Sequence, residues 1–314
     1  MADIEPPFGD IWDGLRAGRV IPFLGAGASI VGRAEGAAWH ASEAAFLPSG
    51  RELAHFLAER SNFPSQDPAD VDDLAKVASY TADVSGRAML RQRLRAVFNH
   101  PYRGSPLHAF LAEVSTPLLI VVTNYDTLLE QAFQAAGKPY DLVVYPADRA
   151  AIGHALLWWP HGQTDPVAVE AKELDLDLER TTVIYKMHGT TWPASETWDN
   201  FVITEEDYVE FLSRMTTNSS SAVPAQFYQY SRQRSFLFLG YSLHDWNLRV
   251  VLRNLRRQFE TMTGKSDEDD VPSWAIQRRP SPLERRLWSR RRVDIFDMDI
   301  DQFVSQLADW KRRD

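Results

Sequence analysis

Val20-Ile21-Pro22-Phe23-Leu24-Gly25-Ala26-Gly27-Ala28-Ser29 is an apolar run of strand length that ends in small residues. Such an ending lets the backbone come close to a ligand, and a helix starting there would aim its N-terminal amides at a phosphate. The stretch reads as a nucleotide cradle on the first strand of an α/β fold. Glycine pairs also serve plain turns, so the segment alone does not decide. Position 30 is Ile30, so the third glycine of the common dinucleotide fingerprint is missing. No Gly-Lys-Ser/Thr follows, which argues against an ATP-binding P-loop.

Outward from this run, further apolar stretches of strand length lie at 118–122, 142–145, 183–187, 236–239, 274–276 and 293–296. Most lack polar alternation, and helical patterns separate them. Continuous apolar strands alternating with helices indicate a parallel sheet covered on both faces. The expected fold is a doubly wound, Rossmann-like α/β sheet in one domain spanning 1–314. Ser49 with Glu52 forms a capping-box pattern before Leu53, Phe56 and Leu57. Ser105-Pro106 places a cap and a first-turn proline before Leu107, Phe110 and Leu111, and Thr204 with Asp207 repeats the cap logic before Tyr208 and Phe211. Residues 32–99 are mainly helical in pattern and are expected to form a helical insertion. Trp158-Trp159 reads as packing, although a lid over a pocket would use similar residues.

The chain has 314 residues, enough for a sizeable core, and a formal net charge of -9. That charge argues against a dedicated nucleic-acid binder. The late arginines Arg278, Arg279, Arg285, Arg286, Arg290, Arg291 and Arg292 read first as a solvated face and second as a partner surface. There is no cysteine, which excludes a disulfide framework, a thiol nucleophile and a zinc site built on thiolates. The N-terminus shows no secretory pattern and no apolar run approaches the length needed to cross a bilayer, so the expected location is the cytoplasm.

Ligands of open α/β sheets bind outside the carboxyl ends of the strands, so polar motifs at those ends carry weight. The first strand ends in Gly25 to Ser29. The next ends in Thr123-Asn124-Tyr125-Asp126, where Thr123 or Asp126 can equally cap the following helix. A third runs into Met187-His188-Gly189-Thr190, and a fourth ends in Gly240-Tyr241-Ser242-Leu243-His244-Asp245. His188 can be a satisfied surface histidine, and Gly240 a strand-to-helix turn. His154 and His161 are rivals to His188, but neither follows a strand in this reading. Four such coincidences on one sheet edge are much less probable than one.

Together these motifs resemble the sirtuin-like (silent information regulator two) family. The matches are Gly25-Ala26-Gly27 with Ser29, Asn124-Tyr125-Asp126, His188-Gly189 and Gly240-Tyr241-Ser242, in the family's order. Leu47-Pro48-Ser49-Gly50-Arg51-Glu52-Leu53-Ala54, Lys186-Met187-His188-Gly189 and Ile203-Thr204-Glu205-Glu206-Asp207-Tyr208 look like its divergent bacterial antiphage-defence branch. Protein-deacylating sirtuins carry a four-cysteine zinc module and a Gly-Ile-Pro-Asp-Phe-Arg stretch. Here no cysteine is present and Ile30-Val31-Gly32-Arg33 replaces that stretch, which argues against deacylation.

The resemblance implies NAD as substrate, with no metal. It implies hydrolysis to nicotinamide and ADP-ribose with Asn124 and His188 as catalytic residues. Gly25, Ala26, Gly27, Ser29, Thr123, Asp126, Gly240, Tyr241, Ser242 and, more weakly, Asp245 are implied to hold the dinucleotide. A sensing module that binds NAD or ADP-ribose without turnover is the alternative, and a zinc-free protein deacylase or ADP-ribosyltransferase comes after it. The family's defence members are controlled by oligomerisation or by a partner such as an ATPase or Argonaute-like protein. With Phe303, Leu307 and Trp310 forming the apolar face of a final helix and no sensor domain visible, the expected trigger is another chain or self-assembly.

Overall fold

The computed structural model describes residues 5–41, 45–147, 155–216, 222–241 and 271–313. Along the chain the strands are β1 (Val20–Leu24), β2 (Leu119–Val122), β3 (Tyr140–Val144), β4 (Leu156–Trp159), β5 (Val167–Val169), β6 (Thr182–Lys186), β7 (Gly189–Thr190), β8 (Asn200–Phe201), β9 (Ser235–Leu239), β10 (Ser273–Gln277) and β11 (Val293–Asp297). The helices are α1 (Phe8–Arg16), α2 (Ala26–Ser29), α3 (Gly50–Ser61), α4 (Pro68–Val71), α5 (Leu74–Ser85), α6 (Arg87–Phe98), α7 (Pro106–Glu113), α8 (Leu128–Ala135), α9 (Glu205–Thr216), α10 (Ala225–Ser231), α11 (Pro282–Ser289) and α12 (Ile300–Arg313).

Nine strands form one sheet in the order β11-β10-β9-β1-β2-β6-β3-β4-β5. Every pairing from β11 to β3 is parallel, and β4 and β5 extend the sheet antiparallel. β1 sits at the centre, with β2 on one side and β9 on the other. Chain direction across the sheet reverses there, which opens a crevice at the strand ends.

Between its two edge strands the sheet is buried on both faces, as its nearly unbroken apolar strands require. Ile21, Phe23, Leu119, Val121, Val183, Tyr185 and Phe238 pack on one face with Phe211, Phe227 and Trp288. Val20, Leu24, Ile120, Val122, Ile184, Leu237 and Leu239 pack on the other with Ile11, Leu15, Phe110, Phe133 and Phe303. Burying each such side chain contributes about 1.5–3 kcal/mol, so the alternation that divides these faces also fixes strand register.

Between β1 and β2 the chain forms α3, α4, α5 and α6, which have their own core of Leu53, Leu57, Val77, Leu90, Leu94 and Val97. Their ends are set by caps legible in the sequence. The Glu52 amide donates to Ser49 Oγ and the Ser49 amide to Glu52 Oε2. Thr204 and Asp207 exchange the same pair of bonds at the start of α9. Ser281 and Glu284 form a third box, before α11, that the sequence reading passed over.

Four strands, β4, β5, β7 and β8, were also passed over. Leu156-Leu157-Trp158-Trp159 lies in a Pro- and Gly-rich stretch, yet it pairs antiparallel with β3. Trp159 is buried there against Trp192 and Trp198, which bears out the packing role of this pair. No helix among the described residues is long and apolar enough to cross a membrane.

Candidate functional site

A cleft of about 290 Å³ opens at the carboxyl ends of β1, β2, β6 and β9. Ala26, Ser29, Thr123, Asn124, Asp126, His188, Gly240 and Tyr241 all line it, so one site gathers motifs scattered over more than two hundred residues of chain. Leu47, Pro48, Ser49, Gly50 and Leu53 at the start of α3, with Leu74, Phe98 and Tyr208, make an apolar wall opposite. Ser242, Asp245, His154 and His244 lie outside the described residues. His161 does follow a strand, β4, but it is exposed and does not line the cleft.

Gly25 and Gly27 stand behind the cleft and hold its floor together. The Gly25 amide donates to the Leu239 carbonyl and the Gly27 amide to the Gly240 carbonyl, each at 2.9 Å. A Cβ on Gly27 would lie 2.8 Å from Gly240 Cα, and one on Gly25 would lie 2.8 Å from Gly240 O. The glycines let two strand-end turns interlock. The helix that follows is a single turn. Those two amides are engaged by β9 and its turn in this structure.

Asn124 is 8% exposed, and its Nδ2 donates to the Gly25 carbonyl at 2.9 Å and to Ser29 Oγ at 2.6 Å. Ser29 in turn donates to Asp126 Oδ2 at 2.7 Å, and Asp126 Oδ1 accepts the Leu128 amide at 3.0 Å. Asp126 thus accepts the first amide of α8 and joins the polar chain at once. Thr123 Oγ1 and the Tyr241 hydroxyl lie 2.6 Å apart and close the side toward β9.

Tyr125, between the two polar residues, also lines the cleft but roots its ring in the helical core. Its ring meets Phe98 and Phe201 edge-on, and its hydroxyl donates to the Val202 carbonyl at 2.7 Å. This buried anchor ties the loop after β2 to the core of α3, α5 and α6.

His188 is walled by Tyr208 and Phe211, both edge-on with centroids at 5.4 Å. Its Nε2 is buried and has no hydrogen-bond partner among the described residues. Burial without a neighbouring charge pushes the imidazole down to about 4, so the ring is neutral near pH 7 and can accept a proton.

Sequence reasoning did not assign roles to the residues beneath the site. Lys186, at the end of β6, is fully buried, donates to the Asp126 carbonyl, and pairs with Glu130 at 3.1 Å. Burial pushes the Glu130 carboxyl up, and Lys186 pulls it back. Glu52 also has a second task. Besides capping α3 it holds Arg33 and the Trp39 amide, and Arg33 lowers it to about 2.

Residues 118–296 match the profile of the SIR2-like domain. The chain belongs to the SIR2-like family. Its region of match runs from β2 to β11 and includes both Asn124 and His188. Among characterised relatives, the NAD(+) hydrolase ThsA of Acinetobacter baumannii is 28% identical over 214 residues, which is 67% of this chain and 36% of that protein. The proteins of the same name from Cytobacillus dafuensis and Bacillus cereus are 27% and 24% identical over 59% and 74% of this chain, and 30% and 42% of their own lengths. This SIR2-like chain therefore spans about a third of the length of the relatives it matches. Among solved structures, a cytosolic 5'-nucleotidase IIIB aligns at a TM-score of 0.36 and 12% identity, a likeness that carries no argument.

Proposed function

We propose that this SIR2-like chain hydrolyses NAD to nicotinamide and ADP-ribose. The observation that carries the reading is the meeting in one cleft at the sheet's switch point of Asn124 and a neutral His188 whose Nε2 has no hydrogen-bond partner among the described residues. The likeness to proteins named NAD(+) hydrolase supports it.

The bond to break joins nicotinamide to ribose C1′. Nicotinamide leaves neutral with the bonding electron pair, and water supplies the new C1′–O bond. Positive charge builds on the ribose as the bond breaks, so the site must orient the substrate and the water more than it must supply acid. With both Nδ2 protons held by Gly25 and Ser29, Asn124 has its Oδ1 to offer to a ribose hydroxyl or to the attacking water. Asp126 would orient the nicotinamide carboxamide, and His188 would take a proton from the water or a ribose hydroxyl. Ser29, Thr123, Ala26 and the Gly240-Tyr241 turn would hold the dinucleotide, with Ser242 and Asp245 beyond the described residues. The helices of 32–99 would form the insertion that walls one side of the cleft within a single domain spanning 1–314.

At the level of the cell we infer an NAD-depleting effector of antiphage defence, cytoplasmic, and restrained by oligomerisation or a regulatory partner. The test is to incubate the purified chain with NAD and follow nicotinamide release. Release that falls by about 10²-fold or more in Asn124→Ala and in His188→Ala supports the reading. Undiminished release in both variants overturns the site, and NAD binding without release in the parent favours a sensing module.

A further inference from the structure

Lys186 is the largest anomaly of the buried sheet. It is 0% exposed at the end of a central strand whose other residues, Thr182, Val183, Ile184 and Tyr185, are likewise buried. Taking an ammonium and a carboxylate out of water costs several kcal/mol for each ion, and replacing such a pair by apolar residues is often neutral or stabilising. The fold gains little stability from this pair, so its geometry is the more informative property.

That geometry links both halves of the candidate site. In register, Lys186 lies beside Val122, the last residue of β2, and two residues further on stands His188. The ammonium donates to the backbone carbonyl of Asp126 and pairs with Glu130 one helical turn later, at 3.1 Å. Asp126 is thereby held at three points: its carbonyl by Lys186, Oδ1 by the Leu128 amide and Oδ2 by Ser29, which also accepts from Asn124.

We propose that Lys186, paired with Glu130, is a positioning residue that clamps the Asn124–Asp126 loop to the strand that leads into His188, and so sets turnover rather than substrate affinity. The proposal rests on the NAD hydrolase reading for its catalytic half only.

The test compares the parent chain with Lys186→Met/Glu130→Leu, which removes both charges together. Hydrogen exchange of the segment 123–129 is measured alongside nicotinamide release from NAD. The double variant is expected to keep the parent's melting temperature or exceed it, with exchange rising in 123–129 while β2 and β6 stay protected. Its kcat should fall about tenfold to a hundredfold, as displaced catalytic groups do, with KM changed much less. Should the double variant not fold, Lys186→Arg, which keeps the charge but changes its reach, carries the same two readouts. Unchanged kcat, or loosening that spreads over β2 and β6, overturns the proposal. A parent chain that binds NAD and releases no nicotinamide defeats the hydrolase reading instead, and the exchange measurement then decides the clamp by itself.

Discussion

Gly27 and Gly240 are packed so closely that a single methyl on either would meet the backbone of the other turn. A Cβ on Gly27 would lie 2.8 Å from Gly240 Cα, and one on Gly240 would lie 2.1 Å from the Ala28 nitrogen and 2.6 Å from the Gly27 carbonyl carbon. Gly240 also has φ +76°, a region that strains any residue with a side chain. Because the contacts are backbone atoms, no side chain can swing away to make room.

Gly240→Ala is therefore expected to destabilise the chain by about 2–4 kcal/mol, combining left-handed strain with overpacking. Urea denaturation measures the loss. A midpoint matching the parent's would show that the two turns are not interlocked.

Acid should weaken the folded state through His188. Its folded value of about 4 lies below the ordinary 6.5, so between those values the unfolded chain binds more protons. Stability is full above about pH 6.5, falls as pH drops toward 4, and the loss for this one group is about 3 kcal/mol. His108, also lowered by burial, adds to the slope in the same direction. Denaturation at pH 7.5 and pH 5 should show a difference that is reduced, not abolished, in His188→Asn. In the free enzyme, kcat/KM should show no histidine inflection near 6.5.

The strand ends were the legible part of this molecule. Apolar runs without polar alternation located each parallel strand to within about two residues, because a strand buried on both faces admits little else. β4 escaped because its short apolar run sits among Pro, Gly and acidic residues that obscure it, and β5 because it is a three-residue, largely exposed edge strand. The four motifs could be placed on one edge, but their division of labour could not. Only the folded contacts separate Gly25 and Gly27, which let turns interlock, from Ser29, which links Asn124 to Asp126. Tyr125 and Lys186 stood in the sequence only as members of motifs; their tasks were hidden because their contacts come from segments far away in sequence.

Arg87 fastens the helices between β1 and β2 to the rest of the fold. Its guanidinium donates to both oxygens of Asp207, at 2.6 and 2.7 Å, and to the Phe201 carbonyl. Asp207 is 9% exposed and is also the capping partner of Thr204. Arg87→Ala leaves that carboxylate buried without its charge partner, a change expected to cost about 3 kcal/mol. Thermal denaturation checks the cost, and Arg87→Lys should recover only part of it, since an ammonium cannot reach Thr204 Oγ1, which takes the Nη1 bond, together with Asp207 and the Phe201 carbonyl, which take the Nη2 bonds.

Asn124→Asp tests whether orientation or the mere presence of an oxygen matters at this position. The Nδ2 group faces the Gly25 carbonyl, an acceptor, which fixes the amide's orientation. A carboxylate there sets two acceptors against each other and leaves the Gly25 carbonyl without its donor, at a cost of about 1–3 kcal/mol. The oxygen that could serve a ribose hydroxyl or a water would still be present, but its direction would no longer be imposed by Gly25 and Ser29. Nicotinamide release is expected to drop about a hundredfold, close to the effect of Asn124→Ala, because misdirected groups lose most of their catalytic value. Ser29→Ala removes one of the two anchors and should fall between the parent and Asn124→Asp. If Asn124→Asp instead turned over near the parental rate, the two backbone and side-chain anchors would be irrelevant to catalysis, and Asn124 would act simply as an acceptor.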